Sequence, residues 1–290
     1  MDRFVVSVTS GLSLGGIFML ISLGIVLAYR ATGTFNFAQG QLVTFASFMV
    51  AGWAAKMGVG VALIAALLFP ALVAAAFYYI VLRRLTGGAS HFTAVIATLG
   101  LGSILEGVLV LLFGGSLYDF DLPGMPEGTV SVLGVNVDVR NLLICAAGVV
   151  VAVAVAVALR FSRFGRSLLA SGQNPLLASQ GGINIGIVQF TAWGFAGLLA
   201  GFGGVAYAST HAVDPSMLTL AFAAFPAILI GGMDSMIGAA VGSILIGLFQ
   251  GFVITYSGAQ YVDLVTYGLL LVVLLVRPQG LFGTKRVIRV

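Results

Sequence analysis

Polar side chains are sparse in this sequence, so the few that stand inside apolar runs mark where chemistry can occur. The stretch Thr34-Phe-Asn-Phe-Ala-Gln-Gly-Gln-Leu brings three amides, Asn36, Gln39 and Gln41, to the head of the apolar run 37–55. Two uses stand open for them. Asn36 suits a helix N-cap, whose side-chain oxygen accepts an orphan N–H of the first turn. Alternatively, an interrupted helix here would aim unpaired N–H groups and its positive dipole end at an anionic group, as broken helices do in transporters. Glu106 is the one acid placed well inside a run, 93–113. An ionised carboxylate there costs ~3 kcal/mol or more unless it faces a polar cavity or a partner, so Glu106 is expected to point into the protein. It would line a substrate path or bind a proton, or else sit protonated and hydrogen-bonded to backbone or to a residue such as Gln250.

The second informative stretch runs from Arg160 to Asn184. Asn174 is a favourable N-cap, Pro175 suits the first helical position, and Gly181 or Gly182 suits a left-handed stop, which predicts a short helix over about 175–180. Leu176, Leu177 and Ala178 would be displayed on it, behind Arg160, Arg163 and Arg166. Such a helix either rests on lipid headgroups or protrudes to dock on a cytoplasmic protein. Enzyme chemistry has no foothold: there is no Walker A loop, H-E-x-x-H pair or nucleophile elbow. His91 and His211 fall on opposite sides of the bilayer in the topology below, so no metal or catalytic role is expected of either. The single Cys145 excludes a disulfide framework and a thiolate cluster.

These residues must be positioned by a chain built for lipid. Of 290 residues, 60% are hydrophobic and 8% charged, with a mean hydropathy of +1.15, where a soluble domain carries about 25% charged residues. Nine acids and thirteen bases cannot clothe a water-exposed surface, but they can punctuate spans of ~20 apolar residues. A net charge of +4, held mostly in loops, makes nucleic acid a poor partner. The apolar runs are 7–29, 37–55, 61–82, 93–113, 141–159, 186–207, 218–233, 236–256 and 262–276. They predict an all-α polytopic integral membrane protein with eight or nine transmembrane segments, some broken or re-entrant, in one transmembrane domain over 1–290. Ser7 to Tyr29 is too long for a signal peptide and lacks a small-residue cleavage site, so it reads as a retained span.

Cytoplasmic loops retain Lys and Arg. Placing 83–92, 160–185 and 277–290 inside gathers Arg83, Arg84, Arg160, Arg163, Arg166, Arg277, Lys285, Arg286 and Arg289, nine of the thirteen bases. The C-terminus is then cytoplasmic, and the loop 115–140, with Asp119, Asp121, Glu127 and Asp138, is external. Parity requires 218–233 to cross despite Pro226. Charge does not place the N-terminus: if 37–55 crosses fully, Arg30 is inside, whereas a re-entrant 37–55 exchanges the sides of Arg3 and Arg30. Glycine pairs at 11/15, 197/201, 238/242 and 247/251 let helices approach closely. Ile230-Gly-Gly-Met-Asp-Ser-Met-Ile-Gly reads as a tight turn in which Asp234 or Ser235 caps the next helix.

Several of these stretches together resemble one family, the permease subunits of ABC importers for branched-chain amino acids, the LivH type. Phe35-Asn-Phe-Ala-Gln-Gly is similar to that family's signature after the first span, and Ala97-Thr-Leu-Gly-Leu to its fourth-segment pattern. The turn at 230–239, the ending Arg277-Pro-Gln-Gly-Leu-Phe-Gly and the loop 160–184, notably Gly165-Arg166, Ala178 and Gly182-Ile183-Asn184, also resemble it, in order along nearly the whole chain. Gln39 stands where many members have histidine and Gln41 where an acid is common, while Leu169 and Gln173 replace frequent charges. The wider group also carries urea, short amides and other hydrophobic acids.

The resemblance implies a bacterial inner-membrane subunit without its own ATPase site or cofactor. It would pair with a LivM-like second permease, dock two cytoplasmic ATPases that bind the ATP, and receive branched-chain or other small hydrophobic amino acids from a periplasmic binding protein. Arg166, Asn174, Pro175, Leu176, Ala178 and Gly182 would then couple to the ATPases. Asn36, Gln39, Gly40, Gln41 and Glu106 would line the path. The rival expectation is an ion- or proton-coupled secondary transporter, which would use intramembrane charges and often shows inverted repeats; Glu106 is the one intramembrane acid, and no convincing repeat is visible.

Overall fold

The computed structural model describes residues 2–85, 91–123, 125–126, 128–132, 135–214 and 219–283. Glu127, Leu218, Lys285, Arg286 and Arg289 lie outside the described residues, as does the side chain of His91. Lipid offers no partners to a peptide backbone, so each spanning segment must satisfy its own N–H and C=O groups as a helix. The apolar runs are accordingly helical: α1 (Asp2–Thr32), α2 (Gln39–Met57), α3 (Val59–Phe77), α4 (Arg83–Leu85), α5 (His91–Phe113), α6 (Val139–Phe161), α7 (Arg163–Gln173), α8 (Pro175–Gln180), α9 (Ile185–Ala208), α10 (Thr219–Gly231), α11 (Met236–Tyr256) and α12 (Val262–Val276). A π-helix, Tyr78–Leu82, carries α3 into α4. A short antiparallel hairpin, β1 (Thr129–Val132) and β2 (Val135–Asp138), occupies the 115–140 loop. Among the described residues, seven helical segments are long and apolar enough to cross a membrane; the chain is an all-α multi-pass membrane protein.

Two of the expected spans differ from those seven for separate reasons. α2 is a continuous helix of 19 residues whose Gln39 to Val50 are all buried, so its amides and hydroxyls meet protein instead of lipid. α10 has 13 residues with Pro226 inside, about 20 Å at 1.5 Å per residue.

The chain groups into two compact units, one formed by Met1–Ser22, Pro126–Ala152 and Phe222–Val290, the other by Leu23–Met125 and Val153–Ala221. In the first, the glycine pairs of α1 and α11 face each other: a Cβ on Gly11 would stand 2.9 Å from the Gly247 carbonyl oxygen, and one on Gly251 2.7 Å from the Gly11 Cα. Ser243 Oγ donates to Ser22 Oγ at 3.1 Å across the same contact. Ser235, the second of the two predicted candidates, caps α11 by accepting from the Gly238 N–H. The ending Arg277-Pro-Gln-Gly-Leu-Phe-Gly folds back onto the α10–α11 turn, where Leu281 N–H donates to Ile230 O at 2.7 Å and Phe282 N–H to Gly231 O at 3.0 Å. Gly232 (φ +108) and Gly280 (φ +75) meet there in backbone conformations that L side chains rarely adopt.

In the second unit α2 is packed between α3, α9 and α5. Pro70 leaves the Ala66 carbonyl without its helical N–H partner, and Gly201 of α9 fills that place so closely that a Cβ would stand 2.7 Å from the oxygen. Phe45 stacks on Phe69 at 4.6 Å, and Phe48 meets Phe113 at 5.4 Å. The contacts of α1 also order its ends. Val5, near its start, packs with Val135 and Val137 of the hairpin, and its last turn lies against α7, with Gly172 facing the Arg30 carbonyl. Arg30 therefore shares a side with the 160–185 loop, which charge counting left open.

Candidate functional site

The amide-bearing segment begins where α1 stops. Gly33, at φ 69, reverses the chain, and its N–H donates to Tyr29 O at 2.7 Å. Residues 33–38 then run to α2, steadied by Phe35 stacked on Tyr29 at 4.6 Å and by Thr98 Oγ1, which accepts from the Phe37 N–H at 3.2 Å. Asn36 Oδ1 accepts from the Ala38 N–H at 3.2 Å, and Asn36 Nδ2 donates to Gln39 Oε1 at 3.0 Å. Gln39 Nε2 donates in turn to Ala196 O of α9 at 2.9 Å. Gly40 is buried beside them, its carbonyl accepting from Thr44 Oγ1 at 3.0 Å. Asn36 and Gln39 thus form a buried clamp tying the start of α2 to α9, while the Gly40 bond stays inside α2.

Gln41 is different. It turns toward α5, where Gly102 leaves room for its Cγ at 3.7 Å from a notional Cβ. Its Nε2 donates toward Glu106 Oε2 at 3.5 Å, at the long limit for a hydrogen bond. Glu106 lies about two turns, ~10 Å, short of the α5 end at Phe113. The expectation that Glu106 points inward holds only at its tip, because the residue is exposed on this chain taken alone while its carboxylate reaches buried Gln41. Gln250, the partner weighed from sequence, instead donates to Thr266 Oγ1 at 3.3 Å.

The predicted helix at the 160–185 loop is α8, Pro175–Gln180. Asn174 Oδ1 accepts from the Leu177 N–H at 3.0 Å, Pro175 opens the helix, and Gly182 rather than Gly181 takes the left-handed conformation, φ 83. The Gly182 and Ile183 N–H groups close the stop on Ser179 O and Ala178 O. Leu176 is 67% and Leu177 61% exposed, but Ala178 only 7%. The expected display of Ala178 is therefore corrected. A residue advances 100° per step around so short a helix, and with both leucines outward Ala178 faces back, its small methyl allowing α8 to sit on α7 and α9.

The sequence reading missed α7. Ser162 caps it, accepting from the Gly165 N–H at 3.0 Å, and Gly165, Leu168 and Ser171 are its buried residues. Arg166 is exposed and its Nη1 donates to Phe161 O at 3.2 Å. It also missed Gln189, one turn into α9. Its Nε2 donates to Ala31 O of α1 at 2.9 Å while its Oε1 accepts from Tyr78 OH at 2.6 Å. Asn184 caps α9, accepting from the Ile187 N–H at 3.2 Å. Gly172 and Gln189 thereby hold α7 and the start of α9 to the end of α1 at Arg30 and Ala31, just before Asn36.

Residues 7–274 match the family model for the permease component of branched-chain amino acid transport systems. The chain belongs to this family. The permease is 27% identical to the high-affinity branched-chain amino acid transport system permease protein LivH of Escherichia coli K12, over 99% of this chain and 98% of that protein. It is 28% identical to the corresponding protein BraD of Pseudomonas aeruginosa, with the same coverage. Among solved structures, it matches a chain of PsaBC from Streptococcus pneumoniae in complex with Fab, with a TM-score of 0.50 and 16% identity over 96% of this chain and 93% of that one, a likeness of fold. LivH and BraD are transport permeases by name, and family membership favours the importer over the ion-coupled secondary transporter.

Proposed function

We propose that the permease forms half of the translocation path of an ATP-driven importer for branched-chain or other small hydrophobic amino acids. A LivM-like second permease supplies the other half. Two cytoplasmic ATPases bind the ATP, and a periplasmic binding protein delivers the substrate, so this chain needs no cofactor or ATPase site. The observation that carries the reading is α8: a helix capped at both ends, with two leucines exposed beside a basic stretch and its base fastened to α1 and α9. A flexible loop would dissipate an applied force, whereas Asn174, Gly182 and Asn184 fix where each turn starts and stops.

In this reading Leu176 and Leu177 enter the ATPase, and Arg166, Asn174, Pro175, Ala178 and Gly182 hold them in place. The 160–185 loop and the C-terminus are cytoplasmic in the bacterial inner membrane; Arg30 is then inside and the N-terminus outside. Gln41 and Glu106 face the substrate, while Asn36, Gln39 and Gly40 form the wall that moves with α9. Uptake of labelled leucine into vesicles holding the reconstituted importer tests the proposal. Accumulation is expected only with ATP and the ATPases; uptake driven by a proton gradient without ATPases overturns it.

A further inference from the structure

Three hydrogen bonds run along one side of α9. Gln189 Nε2 donates to Ala31 O at 2.9 Å, Gln39 Nε2 to Ala196 O at 2.9 Å, and Ser47 Oγ to Gly204 O at 2.8 Å. Their α9 members are spaced about two turns apart, ~10 Å at 1.5 Å per residue. Their partners Ala31, Gln39 and Ser47 follow the chain from the end of α1 into α2. In two of these rungs α2 supplies the side chain and α9 a carbonyl; the rung nearest α8 reverses the roles, because Gln189 supplies the side chain.

Gln189 has a second hold. Tyr78 OH donates to its Oε1 at 2.6 Å, which turns the NH2 end toward Ala31, the only end that can donate to a carbonyl. Tyr78 is 1% exposed and opens the π-helix, a kind of turn that recurs at functional sites. The Ala31 carbonyl is one of the last four of α1, which have no helical N–H partner. α1, the π-helix and α9 therefore meet on a single amide, in the second turn of the helix that Asn184 joins to α8.

We propose that Gln189 is the positioning residue that passes a displacement of α8 from α9 to the end of α1. In this ladder Gln39 and Ser47 hold α2 to α9, and Gln189 holds α1. Without Gln189, α9 would carry α2 while residues 33–38, which contain no regular helix, absorbed the movement relative to α1. With it, both ends of that segment travel with α9, and the segment keeps its shape as the wall shifts. Removing the amide also leaves the Ala31 carbonyl and the Tyr78 hydroxyl without these partners. The inference rests on the importer reading, in which α8 receives the force.

The test measures leucine moved per ATP hydrolysed by the importer reconstituted in vesicles. Gln189→Met, which keeps an unbranched side chain and removes both hydrogen bonds, is expected to retain its partners and its ATP hydrolysis while leucine moved per ATP falls about fivefold, the scale of one lost hydrogen bond. Tyr78→Phe should lower the ratio in the same direction, and the double variant should be no worse than Gln189→Met, as for residues acting through one contact. Thr191→Val, which removes a bond made within α9 to Ile187 O, should leave the ratio unchanged. A wild-type ratio in both Gln189→Met and Tyr78→Phe, or an equal fall in Thr191→Val, overturns the positioning role while leaving the importer intact. A parallel fall in hydrolysis and uptake also overturns it, because Gln189 would then only hold the assembly together. Absence of ATP-driven uptake in wild type overturns the importer reading itself.

Discussion

Gln41 and Glu106 are the path candidates whose polar atoms are not wholly consumed by the fold. Asn36 and Gln39 spend their amide groups on one another, on the Ala38 N–H and on Ala196 O, so their loss would be read first in stability. Replacing Glu106 with Ala should reduce leucine uptake by the reconstituted importer about tenfold, the scale of a lost side-chain hydrogen bond, with unchanged co-purification of the partners. Replacing Leu176 or Leu177 with Asp should weaken ATPase association about tenfold or more, as for an apolar anchor at an interface, measured by pull-down. Ala178→Asp instead buries a carboxylate against α7 and should lower the yield of folded protein. His211, beyond the end of α9, gives a pH test. Burial holds its imidazole below the ordinary 6.5, partly offset by a hydrogen bond with the Tyr207 backbone; its ring stacks on Tyr207 at 4.6 Å and its Nδ1 lies 2.8 Å from Thr210 Oγ1, with Asp214 acting on the same Tyr207. Protons then favour the unfolded segment, so its stability is full above pH 6.5 and falls as the pH drops below it. Hydrogen exchange at the Val213 N–H, which donates to Tyr118 O at 2.8 Å, should quicken over that drop, and less so in His211→Phe.

At the scale of elements, caps and glycines fix where the helices start, stop and touch. Asn174→Ala should cost about 1 kcal/mol locally, seen as faster exchange across 175–180, and should reduce ATP-coupled transport more than ATPase binding. The bounds of α8 were legible because Asn, Pro and Gly act through their own local geometry. The outward face of α8 was not legible, since which side of a six-residue helix is buried depends on where α7 and α9 lie. α7 itself was hidden because two of its three buried residues, Gly165 and Ser171, are small or polar and give little apolar periodicity. The four glycine pairs named from spacing all lie in close backbone contact, but spacing alone did not reveal that 11/15 and 247/251 meet each other.

For the whole molecule, composition and the apolar runs gave the helical membrane fold. The side of Arg30 needed tertiary contacts, because moving it left the basic count unchanged. A cysteine introduced at Phe4 should react with a membrane-impermeant maleimide added outside intact cells, and one at Thr32 should not; the native Cys145 is changed to Ala first. The reverse pattern would invert the topology. The tail that clasps the α10–α11 turn adds a temporal constraint. Its strand of chain leaves the ribosome after both helices have entered the bilayer, so the Ile230 and Gly231 carbonyls wait for a latch not yet translated. A nonsense codon shortly before Leu281 would therefore spare every span yet leave that corner open to quality-control proteases.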